Sequence, residues 1–255
     1  MSLLAGKKAL IFGVANDYSI AWSIAKLLKE NGTQVALSYL NDSIKKRVVP
    51  LSEELGADFI FEMDVTEDAH YQRLTHIVEQ KWGNFDFLIH SLAFAEREDL
   101  SKDFIQTSRK GFLTAMDVSA YSLVGLCHAL HPLMNLGGSV VTMTYYGSQK
   151  VIPNYNVMGV AKAALECSVR YLAVDLGKQK IKINAISAGP IKTLAASAVS
   201  GLKEKLSLAK DRAPLQENVT QNDVAQTALY LCSDLSRGVT GQVLYVDSGL
   251  STIGF

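Results

Sequence analysis

The chain has 255 residues, 48% hydrophobic and 20% charged, with 25 basic side chains against 25 acidic ones. That length suits one large α/β domain with a sizeable core, and the balanced charge excludes the basic excess of a nucleic-acid binder. Three cysteines without CxxC spacing, Cys127, Cys167 and Cys232, point to buried thiols in a reducing compartment and exclude a disulfide framework or a cysteine metal site.

The N-terminal MSLLAGKKALIFG carries an apolar run too short for a signal segment or a membrane span, so a cytoplasmic protein with no membrane association is expected. KKALIFG reads as the first strand, SIAWSIAKLLKENG as the first helix and TQVALSYL as the second strand. A charged helix through Leu55, the strand ADFIFEMD and the helix beginning at TEDAHY follow. DFLIHSL, GSVVTMTYY, KIKINAIS and QVLYVDSG read as further strands. Between them lie FLTAMDVSAYSLVGLCHALH, a helix apolar on more than one face, and YNVMGVAKAALE, an amphipathic one.

Near-continuous apolar strands alternating with helices predict a parallel sheet covered on both faces. The expected fold is α/β, a single doubly wound, Rossmann-like domain of about seven strands over residues 1–255, with no linker or repeat to divide it. Residues 195–214, after ISAGPIKT, are rich in small residues and helical by propensity up to Pro214. They read either as a mobile cover over the substrate or as an ordinary surface helix pair.

A dinucleotide-binding turn needs small residues and an open helix N-terminus beside the phosphates. GVANDYSIAWSIA keeps Gly13, has Ala15 at the second position and delivers Ser19 as an N-cap with Ile20 behind it. The second strand ends at Leu40, with neither an acidic nor a basic residue there. Lys45, Lys46 and Arg47 fall inside the next helix and read as solvated, so NADH is favoured over NADPH. Asp64 and Val65 follow the third strand, where they suit an adenine edge, and Asp64 suits a helix-capping turn equally well. Tyr155 and Lys162 are seven residues apart and share a helix face, as packing or as chemistry.

IHSLAFA, TYYG, the Tyr155 segment and NAISAGPIKTLAAS together decide between those readings. The set resembles the bacterial NADH-dependent enoyl-acyl-carrier-protein reductases of the short-chain dehydrogenase/reductase superfamily, over essentially the whole chain from GVANDYSIAW to DLSRGVTGQVLYVDSG. Ordinary members of the superfamily carry Tyr-x-x-x-Lys. Here Gly159 stands four after Tyr155, the lysine comes at seven, Thr142 stands near the usual serine, and Tyr145 lies ten residues ahead.

The resemblance implies reduction of a trans-2-enoyl thioester carried on acyl carrier protein, the last step of fatty-acid elongation, by a homotetramer with no metal. It makes Tyr145 and Tyr155 the paired active-site tyrosines, with the Tyr155 phenol as donor to the thioester oxygen, and Lys162 the cofactor-anchoring lysine that strengthens that donor. It assigns Ser91, Leu92, Ile191, Thr193, Leu194 and Ala195 to the cofactor with Gly13, Ser19, Ile20, Leu40, Asp64 and Val65. Ala95 goes to the substrate with the two tyrosines, while Lys192 reads as solvated, and Lys203, Lys205 and Lys210 are candidates for steering the acidic carrier protein. No histidine is assigned to catalysis, since His128 and His131 have no third ligand and His90 reads as strand-end packing. A carbonyl reductase of the same superfamily and a non-catalytic dinucleotide sensor are the competing readings.

Overall fold

The computed structural model describes residues 2–193 and 202–254. The described residues contain β1 (Lys8–Phe12), β2 (Gln34–Tyr39), β3 (Phe59–Glu62), β4 (Phe85–His90), β5 (Met134–Thr144), β6 (Lys182–Ala188) and β7 (Val243–Val246). They form one sheet in the order β3-β2-β1-β4-β5-β6-β7, and all pairings are parallel. Every strand therefore ends at the same edge. The order reverses between β1 and β4, so the connections leaving those two strands part to opposite faces and open a crevice there.

Alternation along each strand loads both faces. Ala9 and Ile11 of β1 pack with Trp22 and Ile24 of α1 (Ile20–Glu30) and Val224 and Ala228 of α9 (Gln221–Cys232). Leu10 and Phe12 face the other way, with Leu74 of α3 (Asp68–Trp82), Leu126 of α6 (Ser122–Leu130) and Leu165 of α7 (Val157–Gly177). Each large apolar side chain so buried contributes about 1.5–3 kcal/mol. The remaining helices are α2 (Asp42–Leu55), α4 (Arg97–Ser101), α5 (Arg109–Met116) and α8 (Leu202–Arg212).

Three features differ from the sequence reading. The helix expected over FLTAMDVSAYSLVGLCHALH is interrupted by a π-turn at Asp117–Tyr121, between α5 and α6. The fifth strand starts earlier, at Met134, where its register against β4 shifts between Phe85 and Phe87. Of the cysteines, Cys127 and Cys232 are buried and burial pushes both thiols up to about 12. Cys167, however, is only half-buried, on the flank of α7 between buried Glu166 and exposed Arg170.

The helical run Arg109–Leu133 is long and apolar enough to cross a membrane by length and composition, and 44% of its apolar window is buried in the protein. Its inner side, Leu123, Leu126 and Leu130, is core, whereas Phe112, Leu113 and Tyr121 are exposed, as are Tyr171 and Val174 on α7.

A buried lysine fastens the far end of α9. Lys182 Nζ donates to Leu231 O at 3.0 Å, Ser233 O at 2.9 Å and Ser236 Oγ at 2.6 Å, capping the helix carbonyls with a cation where the dipole favours one. Burial lowers its pKa, and nearby Cys232 and Asp234 oppose that shift. Lys182→Met removes three buried hydrogen bonds, although Ser139 and Ser236 still donate to the carbonyls, and is expected to cost about 1–3 kcal/mol, read as a lower urea midpoint at unchanged slope.

Candidate active site

Tyr155 is not on a helix. α7 begins at Val157, and Tyr155 sits in the turn ahead of it, between Asn154 at φ 63° and Asn156 at φ 41°. Asparagine tolerates this left-handed region better than other side chains, so the pair ends any helical run through the tyrosine. The Asn156 amide donates to Asp99 O at 3.2 Å and Lys102 O at 2.6 Å, tying the turn to α4.

From that turn the Tyr155 ring meets Tyr145, which follows β5 directly, with centroids 4.9 Å apart and planes at 72°. Two glycines permit the approach. A Cβ at Gly147 would lie 2.5 Å from Tyr155 Cδ1, and one at Gly159 would lie 2.7 Å from the Gly147 carbonyl oxygen. Position 159, where a carbonyl reductase carries its lysine, is thus filled by backbone. Among the described residues neither tyrosine hydroxyl has a hydrogen-bond partner, and Tyr155 packs, as Ala95 does, against the buried cluster of Leu100, Ala115, Val157 and Met158.

Lys162 lies two turns into α7, buried, with Nζ donating to Met143 O at 2.8 Å. Burial lowers its pKa to about 8, against an upward pull from Glu166. An ammonium has three donors, which leaves two for a ligand at the edge of the sheet. Burial, then Tyr145 and Glu166, raise the pKa of the Tyr155 phenol. Tyr155 is accordingly a protonated donor throughout the physiological range.

Thr142 has no free hydroxyl to offer a substrate, since Oγ1 lies 2.8 Å from His90 Nδ1. His90 Nε2 is 2.8 Å from Ser122 Oγ, which donates on to Val118 O at 2.7 Å. The network assigns the proton to Nε2. Burial and then Lys162 push His90 down to about 3, so it is a neutral structural link beneath the site.

Among the described residues Gly13, Ser19, Leu40, Asp64, Val65, Ser91, Leu92, Ile191 and Thr193 follow strand ends at one edge of the sheet. Gly13 stands at φ 100°, and a Cβ there would meet the Ser91 carbonyl oxygen at 2.1 Å, so the turns after β1 and β4 touch. Ser19 occupies the N-cap position of α1, but its hydroxyl accepts from Ala15 N at 3.0 Å and Asn16 N at 3.1 Å. Ser19 therefore shapes the loop and does not cap the helix. With no side-chain cap, the helix N-terminus is left as an anion site, which fits a pyrophosphate.

Leu40 is exposed at the end of β2, Asn41 caps α2 through Ile44 N, and Lys45 lies over the Tyr39 ring at 5.3 Å. Lys46 and Arg47 lie exposed within α2. Asp64 makes an Asx turn, accepting from Thr66 N at 3.0 Å, while Glu67 holds the N-cap position of α3. Val65 is buried, and its carbonyl accepts from Tyr71 Oη at 2.8 Å. Ile191 is buried and Thr193 half-buried after β6, and Leu194 and Ala195 lie outside the described residues.

Sequence reasoning missed two fastenings of these loops. Ser119, delivered by the π-turn, accepts from Phe94 N at 3.0 Å and donates to Phe94 O at 3.1 Å, holding the loop that carries Leu92 and Ala95. Gln221 Nε2 donates to Tyr18 O at 3.1 Å and Lys192 O at 3.2 Å, joining the loops after β1 and β6. An unmatched serine inside an apolar helix was the available signal for the first, and nothing local marks the second. Among the described residues no three His, Cys, Asp or Glu side chains gather as a metal site.

The family model described as enoyl-(acyl carrier protein) reductase matches residues 13–251. The chain is 51% identical to the NADH-dependent enoyl-[acyl-carrier-protein] reductase of Rickettsia prowazekii over 252 residues, 99% of this chain and 97% of that one. The Anaplasma phagocytophilum enoyl-acyl-carrier-protein reductase, solved in complex with NAD, superposes with TM-score 0.94 at 46% identity, covering 99% of this chain and 95% of that one. The Bacillus cereus enoyl-acyl carrier protein reductase, solved with NADP+ and an indole naphthyridinone, gives TM-score 0.98 at 43% identity over 100% of both chains.

Proposed function

Because this chain belongs to the enoyl-(acyl carrier protein) reductase family, we propose that Tyr155, Tyr145 and Lys162 are the residues that carry its reaction. The activity is NADH-dependent reduction of the carbon–carbon double bond of enoyl thioesters on acyl carrier protein, in fatty-acid synthesis. NADH, when bound, supplies the hydride that adds to C3 of the enoyl group.

Charge then develops on the thioester oxygen, and an O–H aimed at that oxygen strengthens its bond as the charge grows. Tyr155 is that donor: its hydroxyl has no competing partner among the described residues, and burial keeps it protonated. Tyr145 walls the same pocket through the ring contact and orients the thioester. Lys162, anchored on Met143 O, presents its remaining N–H groups to the ribose hydroxyls and so fixes the hydride face. Gly13, Ser19, Ile20, Leu40, Asp64, Val65, Ser91, Leu92, Ile191, Thr193, Leu194 and Ala195 complete the cofactor site, and Ala95 the substrate site. The uncapped α1 N-terminus supports a dinucleotide, and exposed Leu40 in place of a basic residue at the end of β2 supports NADH in this role.

The observation that carries the enoyl assignment is Gly159 packed on the Gly147 carbonyl, which leaves no room for the lysine of a carbonyl reductase. The test follows NADH absorbance with a trans-2-enoyl thioester and, in parallel, a 3-oxoacyl thioester. Oxidation with the enoyl substrate alone is expected, and oxidation with the oxo substrate alone would overturn the reading. Binding of NADH without turnover of either would identify a sensor.

Residues 195–214 cover the acyl chain, with α8 ending just before Pro214, whose ring is packed on Gly249; residues 195–201 lie outside the described residues. Acyl carrier protein docks near this cover, where Lys210 is exposed; the side chains of Lys203 and Lys205 lie outside the description. The protein is a cytoplasmic homotetramer, paired through α5, α6 and α7. The exposed Phe112, Leu113, Tyr121, Tyr171 and Val174 support that pairing, and light scattering should give four times the chain mass of 27.8 kDa.

A further inference from the structure

Glu166 stands one helical turn beyond Lys162, and 5% of it is exposed. Taking a carboxylate out of water costs several kcal/mol unless hydrogen bonds and a countercharge offset it. Its Oε1 accepts from Thr144 Oγ1 at 2.7 Å and from Ser148 Oγ at 2.6 Å. Thr144 is the last residue of β5, and Ser148 closes the 3-10 turn Tyr146–Ser148. Tyr145 lies between them, so the carboxylate grips the chain on both sides of the tyrosine.

We propose that Glu166 is a positioning residue for the reaction, holding Tyr145 and the Gly147 backbone against Tyr155, and that its buried charge, one helical turn from Lys162 with no direct ion pair between the two, favours the charged form of that lysine. The proposal rests on the assignment of Tyr145, Tyr155 and Lys162 to the chemistry. No substrate contact is required of Glu166, since both bonded hydroxyls belong to the segment that carries Tyr145 and Gly147. That glycine in turn abuts the Tyr155 ring, so releasing the segment moves both phenols.

The groups around this pair are His90 from β4, Tyr145 after β5, Tyr155 ahead of α7 and Tyr245 from β7. Burial keeps His90 neutral and the tyrosines protonated, which leaves Glu166 as the charge opposite Lys162. Removing it frees burial to lower Lys162 further below its value of about 8, and the sign is fixed: the alkaline fall of kcat/KM moves to lower pH.

The test compares wild type, Glu166→Gln, Glu166→Asp, the double variant Thr144→Val/Ser148→Ala, and Tyr155→Phe, with kcat and KM for a trans-2-enoyl thioester followed over a range from about pH 6 to about 9.5 that brackets the lysine. Glu166→Gln is expected to lower kcat about 10- to 100-fold at neutral pH and to move the alkaline limb down by about one unit, with NADH affinity changed less than about threefold. Glu166→Asp restores the limb, and the double variant lowers kcat about tenfold with the limb unmoved. A folded Glu166→Gln with wild-type kcat, or with a limb that stays in place, overturns the proposal. If Glu166→Gln does not fold, the double variant decides, and wild-type kcat there overturns the clamp. Unimpaired Tyr155→Phe would fault the site assignment itself, whereas an impaired Tyr155→Phe beside an unimpaired Glu166→Gln faults this inference alone.

Discussion

Tyr155→Phe is expected to lower kcat on a trans-2-enoyl thioester by about 10²- to 10³-fold, the usual loss of about 3–4 kcal/mol when one donor to a developing oxyanion is removed. The substitution deletes one oxygen and nothing else. The ring keeps its packing on the Leu100, Ala115, Val157 and Met158 cluster and its edge contact with Tyr145, so folding stability and NADH affinity stay close to wild type. Because the phenol's pKa is raised, the variant also shows no change in the shape of its pH profile below about 10. Steady-state kinetics with NADH-binding fluorescence separates these quantities. A kcat within about threefold of wild type would remove Tyr155 from the chemistry, whereas Tyr145→Phe, which removes an orienting hydroxyl, should cost less.

Gly13→Ala should be the most damaging small substitution in the cofactor half. Two effects add. At φ 100° an alanine is strained, worth about 1–3 kcal/mol. Its Cβ would also come within 2.1 Å of the Ser91 carbonyl oxygen, a backbone atom that cannot rotate away, and overpacking of that kind costs about a further 1–3 kcal/mol. A total of about 2–6 kcal/mol is a large share of an ordinary domain's stability. Relief by parting the β1 and β4 turns would open the crevice meant for the dinucleotide, so NADH affinity should fall at least about tenfold with the melting temperature. A chain that loses under about 1 kcal/mol in a urea melt and binds NADH normally would contradict the close contact.

The strands are legible in the sequence because parallel strands covered on both faces are written as near-continuous apolar runs, such as the ALIF of β1 and the FLI of β4. Their loops are legible because the strand ends share one edge. Tyr155 departs from the helix its spacing suggests for a physical reason. The interval to Lys162 fits a helix, but Asn154 and Asn156 adopt positive φ, and tertiary bonds from Asn156 to Asp99 O and Lys102 O hold the turn there.

Glu166 is silent in the sequence because a glutamate four residues after a lysine on a helix reads as a solvated ion pair. Only the sheet beneath α7 makes both members buried. Gly159 reads as a missing lysine, and its contact with the Gly147 carbonyl joins a loop to a helix, which no local spacing announces.

The Gln221 bridge has a consequence for how the molecule is made. Its two acceptors, Tyr18 O and Lys192 O, lie 203 and 29 residues earlier in the chain, and α1 packs on α9 through Ala21, Trp22, Val224 and Ala225. During synthesis the first loop of the cleft therefore leaves the ribosome long before the side chain that fastens it. A nascent chain arrested before α9 has its early strands and an unfastened cleft, with Ala21 and Trp22 of α1 lacking their α9 partners. The two loops are thus fastened to each other only when nearly the whole polypeptide has emerged.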